Sequence, residues 1–260
     1  MTSYSSGKCC FQGKRHEGSP SGDIIKIRNI EAYVKYPENA STESGIILLT
    51  DVFGHRFINS QLIADELAAK GYFVVMPNLF AGDAVALDEA DTIDFAKWIN
   101  GGYSDTKQSH LPPAIDPIVE ACIVEMRTKY SVKKLGAVGY CFGSKYAIRF
   151  LKAGAVRVDV AYVAHPSFID KAELEAVAGP VAISAAEKDE IFPYAKRRES
   201  EEILEGLGLP FEITIYGGVE HGFAVRGAPN DRGVQFAKEG ALSQAIRWLG
   251  EFLQMPRALQ

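Results

Sequence analysis

Cys141 lies in Gly139-Tyr140-Cys141-Phe142-Gly143. An apolar run at residues 135–138 precedes it, and apolar residues at helical spacing follow at residues 144–150. A strand turning sharply into a helix would hold the thiol at its apex, with a glycine two residues to either side removing Cβ clashes between the two elements. That is the geometry of a nucleophile elbow carrying sulfur where serine is usual. The same string is also compatible with a tight strand–helix junction in which cysteine is a small apolar filler.

Other residues decide between the two. Asp51 follows the run GIILLT, Asp189 follows VAISAAEK and His221 follows FEITIYGGVE, so each falls just after a predicted strand, as Cys141 does. In open parallel sheets, reactive groups gather at the carboxyl ends of the strands, so all four belong at one edge. Cys141, Asp189 and His221 occur in the chain order nucleophile, acid, histidine. A thiol attacks as its thiolate and needs a base; His221 fits that role, and Asp189 would orient the imidazole and stabilise its cation. Taken singly, His221 reads equally as a loop histidine and Asp189 as a helix cap. Their shared placement, types and order favour the chemical reading.

The elements that must position these groups follow from periodicity. Residues 1–22 are rich in Ser, Gly, Lys and Pro and read as a loose arm. Residues 24–36 read as an antiparallel hairpin at a sheet edge, and residues 45–50 as a central parallel strand. From there strands are expected at residues 72–76, 135–140, 158–164, 181–185 and 211–216. Helices are expected at residues 60–70, 92–100, 114–130, 144–150, 194–207 and 236–253, with an irregular pocket wall over residues 78–113. Such alternation implies a largely parallel sheet with helices on both faces. Residues 23–260 read as a single domain, there being no internal repeat or long linker.

Composition narrows the partners. A chain of 260 residues with 47% hydrophobic and 23% charged residues is long enough and mixed enough to bury a large core. A net charge of −5 leaves no basic surplus for a nucleic acid. There is no membrane-length apolar stretch and no apolar signal core, so a cytoplasmic protein is expected. Cys9, Cys10, Cys122 and Cys141 make no disulfide framework. The vicinal Cys9-Cys10 pair has no second pair of ligands at metal-binding spacing, and neither metal nor cofactor is expected.

The motifs DVFG at residues 51–54, GYFVVMPNLF at 71–80, GYCFGS at 139–144, EKD ending at Asp189 and HGF at 221–223 together resemble the dienelactone hydrolase (carboxymethylenebutenolidase) family. The N-terminal CCFQGKRHEGSP is similar to the leader of fungal-type members. The resemblance implies an α/β-hydrolase fold with a mostly parallel sheet of about eight strands. It also implies a thiol-activating role for Asp51, where family members often carry Glu. The backbone N–H groups of Val52 and Phe142 are the expected oxyanion hole. The family's two carboxylate-gripping arginines are replaced by Gly82 and Val225, and Arg226 and Arg56 are the nearby alternatives. Phe53, Phe57, Phe80, Phe142 and Phe223 beside the expected site suggest an apolar pocket, with His55 and His165 as further polar contacts.

The expected function is hydrolysis of a small-molecule ester or lactone through Cys141, Asp189 and His221, in a monomer or homodimer. The same residues would also serve a biosynthetic enzyme that opens, cyclises or isomerises a polyketide-like lactone. A thiol sensor without turnover is a third reading; it needs only a reactive cysteine, not the acid and histidine.

Overall fold

A computed structural model describes residues 2–4, 16–89 and 92–253 of the chain. The Cys9-Cys10 pair considered as a metal ligand lies outside the described residues.

The sheet has eight strands in the order β1-β2-β4-β3-β5-β6-β7-β8. The strands β1 (Asp23–Ile27) and β2 (Ile30–Lys35) form the expected antiparallel hairpin, and β2 pairs antiparallel with β4 (Phe73–Pro77). Every other pairing, through β3 (Ser44–Leu49), β5 (Lys134–Tyr140), β6 (Val160–Ala164), β7 (Val181–Lys188) and β8 (Phe211–Glu220), is parallel.

The central strands are apolar at consecutive positions because both faces of the sheet are covered. Ile47 and Leu49 pack into a core with Ile115, Val119, Cys122, Ile123 and Met126 of α3 (Pro112–Thr128). Ile46 and Leu48 face the opposite side, where Ile63 and Leu67 of α1 (Ile58–Ala69) and Leu249 and Leu253 of α8 (Arg232–Leu253) close over them. α4 (Phe142–Arg149) runs against β5 on the first face, and α6 (Tyr194–Leu207) has the bounds expected from its periodicity.

Three features differ from the sequence reading. Two short helices, α5 (Lys171–Glu175) and α7 (Phe223–Arg226), lie in what read as loops, and the helix at residues 92–100 contracts to α2 (Phe95–Ile99). Segments of four or five residues span little more than one turn, too short for a period to show. The strand β8 runs four residues beyond Tyr216, through an irregularity opposite Ala186 and Lys188, and delivers the chain directly to His221.

Residues 2–4 are bound to the body of the protein. The N–H groups of Thr2 and Ser3 donate to the Ile169 carbonyl at 2.8 and 3.2 Å, and the Tyr4 N–H donates to the Ile191 carbonyl at 2.8 Å. In return, the Phe168 N–H donates to the Tyr4 carbonyl at 2.9 Å and the Ile169 N–H to Ser3 Oγ at 2.8 Å. Polar composition suggested a loose arm, but backbone groups bond regardless of side chain, and here they complete two loops of the body. No helix among the described residues is long and apolar enough to cross a membrane.

Candidate active site

Cys141 terminates β5 and caps α4, at φ 49° and ψ −111°. A non-glycine residue in that region is strained by roughly 1–3 kcal/mol and persists only where its surroundings enforce it. Here the flanking glycines permit it: a Cβ at Gly143 would come within 2.0 Å of the Leu49 carbonyl oxygen, and one at Gly139 within 2.7 Å of the Ser144 Cα. The sharp turn and close approach read from the sequence are both present.

The sulfur is completely buried, and His221 Nε2 lies 3.2 Å from it. The other ring nitrogen, Nδ1, is 2.9 Å from Asp189 Oδ2, with both side chains buried. Asp189 is fixed in turn by its second oxygen, which accepts the N–H groups of Ile191 and Phe192 at 2.9 and 3.0 Å. Burial works against ionised Asp189, but the His221 charge and these hydrogen bonds outweigh it and hold the carboxyl below its ordinary value. Burial likewise disfavours a charged His221, yet the adjoining Cys141 and Asp189 raise its pKa to about 10, which favours the imidazolium form of that ring.

Asp51, two residues after the end of β3, is fully buried at the same sheet edge. Its Oδ2 is 3.0 Å from Arg226 Nε and its Oδ1 accepts the Phe53 N–H at 3.2 Å. Burial is the main cause that raises the Asp51 pKa to about 6; Arg226 opposes the rise and the nearby Cys141 adds to it. Arg226 is carried by α7, whose N-cap, Gly222, has φ 90°. The guanidinium folds back over that glycine, where a Cβ would meet Nη2 at 2.4 Å.

The remaining candidates divide. Val52 and Phe142 are buried, and the Phe142 N–H, in the first turn of α4, has no intrahelical acceptor. Phe53 packs against Phe57 and under the Arg226 guanidinium, with centroid separations of 5.1 and 5.2 Å. Phe53, Phe57 and Arg56 line a cleft of about 1060 Å³ that also borders Glu31, His55 and the irregular segment 81–88. Arg56 and His55 both contact Glu31 Oε1, at 2.8 and 2.7 Å. Phe80, by contrast, is packed among Trp98, His110 and Phe142, and Phe223 between His165 and Tyr216. Both aromatics serve as core rather than as cleft lining.

Two neighbours of Cys141 and His221 come from the turn after β6. His165 is fully buried, with its ring 5.0 Å from that of His221 and nearly perpendicular to it. Ser167 Oγ is 3.6 Å from the Cys141 sulfur. Ser167 drew no attention in the sequence, although the strand-end rule that selected Asp51, Asp189 and His221 covers it equally.

This strand order, with a thiol elbow after β5, a carboxylate after β7 and a histidine after β8, defines an α/β-hydrolase. The dienelactone hydrolase family model matches residues 30–253, and the chain belongs to that family. It is 51% identical over 254 residues to Hydrolase tropI of Talaromyces stipitatus, a match that covers 98% of this chain and 99% of that protein. It is 45% identical to Hydrolase pyvD of Aspergillus violaceofuscus, with coverage of 98% and 100%. Dienlactone hydrolase 1 of Gibberella moniliformis is 31% identical, with coverage of 94% and 93%. Among solved structures, a thermophilic esterase from Thermogutta terrifontis superposes with a TM-score of 0.64 at 14% identity, covering 92% of this chain and 95% of that one. That likeness is one of fold. The chain is a hydrolase of the dienelactone hydrolase family.

Proposed function

We propose that the protein hydrolyses an ester or lactone of a small, largely apolar molecule, with Cys141 as nucleophile, His221 as acid and base, and Asp189 as its orienting partner. One observation carries this reading: a single imidazole bridges the sulfur and the carboxylate at 3.2 and 2.9 Å. In the resting state His221 holds the thiol proton. The thiolate attacks the carbonyl carbon, and the carbonyl electron pair moves onto oxygen, facing the Val52 and Phe142 N–H groups. As that intermediate collapses, the C–O bond breaks and His221 gives its proton to the leaving oxygen, which in a lactone stays tethered. Neutral His221 then takes a proton from water, hydroxide adds to the thioester, and the C–S electron pair returns to sulfur. Acid product and the thiolate–imidazolium pair remain.

The cleft supports an apolar substrate body. Its lining residue Phe53 directly follows Val52, which links the cleft wall along the chain to one of the proposed oxyanion donors. Arg56, paired with Glu31 but largely exposed at the cleft edge, is the better placed cation for an acidic substituent; Arg226 is buried against Asp51.

The test is turnover of a panel of aryl esters, thioesters and lactones by the intact protein and by Cys141→Ala and His221→Ala. Each substitution should lower kcat/KM by roughly a thousandfold or more. The acyl mass trapped on intact protein should map to Cys141. Full activity in Cys141→Ala would overturn the assignment.

A further inference from the structure

Cys141 has no solvent-exposed surface, so no bulk water solvates a charge on its sulfur. A buried thiolate therefore depends on the donors fixed around it. His221 supplies one. The Ser167 hydroxyl is fully buried 3.6 Å from the sulfur, within hydrogen-bonding range for that larger atom, and among the described residues it meets no other polar partner. We propose that Ser167 is a further catalytic residue, its hydroxyl donating to the Cys141 sulfur whenever that atom is charged. The proposal rests on the reading of Cys141 as nucleophile.

The backbone holds Ser167 there at a conformational cost. His165 and Phe168, on either side of the Pro166-Ser167 step, both take left-handed angles, with φ of 38° and 63°. The His165 N–H donates to the Ser184 carbonyl at 2.8 Å and the Ser167 N–H to the Cys141 carbonyl at 3.2 Å. Cys141 closes the arrangement by donating its own N–H to the Ala164 carbonyl at 3.1 Å. The nucleophile and the hydroxyl are thus bonded into one turn. Strain concentrated beside a reactive atom is usually retained for what it positions.

The groups around the sulfur make a neutral donor useful. His221, with Asp189 behind it, already carries the thiol proton; Asp51 and Arg226 form an ion pair at the same edge, and His165 is held neutral by burial. Ser167 keeps its proton throughout. It stabilises the thiolate before attack, is released when sulfur becomes a neutral thioester, and donates again as the C–S electron pair returns to sulfur in deacylation.

The test compares the pH dependence of Cys141 alkylation by iodoacetamide, localised by peptide mass, in the intact protein, Ser167→Ala, and the isosteric pair Ser167→Thr and Ser167→Val. Loss of one hydrogen bond to an ion should move the acid-side midpoint up by about one pH unit in the Ala variant. On an ester substrate, kcat should fall roughly tenfold with KM within about twofold, because the contact strengthens as charge returns to sulfur. Thr should restore the midpoint and Val should not, which separates the hydroxyl from packing. Unchanged profiles in Ser167→Ala, or identical Thr and Val variants, with Cys141 still essential for turnover, would remove the role of Ser167 alone. Turnover without Cys141 would remove the reading beneath it.

Discussion

Asp51 and Arg226 form an ion pair at 3.0 Å in which the side chains are 0% and 1% exposed, at the same sheet edge as the Cys141 sulfur. A charge pair that deep contributes little net stability, but removing one partner strands the other. Arg226→Met should therefore lower stability by about 3–5 kcal/mol in denaturant unfolding. In the double variant with Asp51→Leu, much of that loss should return; additive losses would show that the two residues are not coupled.

The same pair fixes a pH signature. The Asp51 pKa in the folded protein, about 6, lies above its ordinary 3.8, so its contribution is favourable at low pH and is lost as pH rises through about 6. Without Arg226 the value rises further, since that guanidinium opposes the shift. The stability deficit of Arg226→Met should be larger at pH 8 than at pH 5. An equal deficit at both would mean that Arg226 does not hold the Asp51 pKa down.

His221 gives the opposite end of the profile. Its pKa is raised from 6.5 to about 10, so its stabilising charge is fully present below 6.5 and is lost as pH rises through about 10. Hydrolysis should hold across neutral pH and decline on that alkaline limb as the acid for the leaving group is lost. Asp189→Asn removes one of the charges supporting the imidazolium and the anchor of Nδ1, so the limb should move to lower pH and kcat should fall by roughly 10²–10⁴-fold. A kcat–pH profile whose alkaline limb stays in place would break the link between Asp189 and His221.

The grouping of Cys141, Asp189 and His221 was legible because strand ends can be read from hydrophobic runs and these side-chain types stand out there. The partner of Asp51 was not. Arg226 reaches it only because α7, a four-residue helix with no readable period, turns back over Gly222. Ser167 escaped for another reason: serine after proline in a turn is ordinary, and only the register of β6 beside β5 sets it against the sulfur. The aromatic residues show the converse, since type alone does not distinguish Phe53, which lines the cleft, from Phe80, which is packed within the core.

Phe53 lines the cleft and lies under the Arg226 guanidinium, whose partner Asp51 shares the sheet edge of the buried thiol. Phe53→Ala should open that wall. Alkylation of Cys141 by a bulky maleimide should accelerate about tenfold or more, while the small iodoacetamide should change much less. Equal acceleration of both reagents would point to general loosening, and no acceleration to a different entrance.

The N-terminal residues bear on the site from behind. Thr2, Ser3 and Tyr4 bond to Phe168, Ile169 and Ile191. The first two belong to the turn that holds Ser167, and Ile191 donates its N–H to Asp189. Deleting residues 2–4 leaves buried backbone donors and acceptors in both loops without protein partners, each such group costing about 1–3 kcal/mol where water does not replace it. The truncated protein should melt several degrees lower. Because the two affected loops carry Ser167 and Asp189, kcat should fall at temperatures well below the transition, where the protein remains folded by circular dichroism. Ser3→Ala, which removes only the bond from the Ile169 N–H, should show a smaller loss of the same kind. A truncated protein with normal kcat and a lowered melting temperature would confine the segment to a structural role, and an unchanged melting temperature would show that these bonds do not persist in solution.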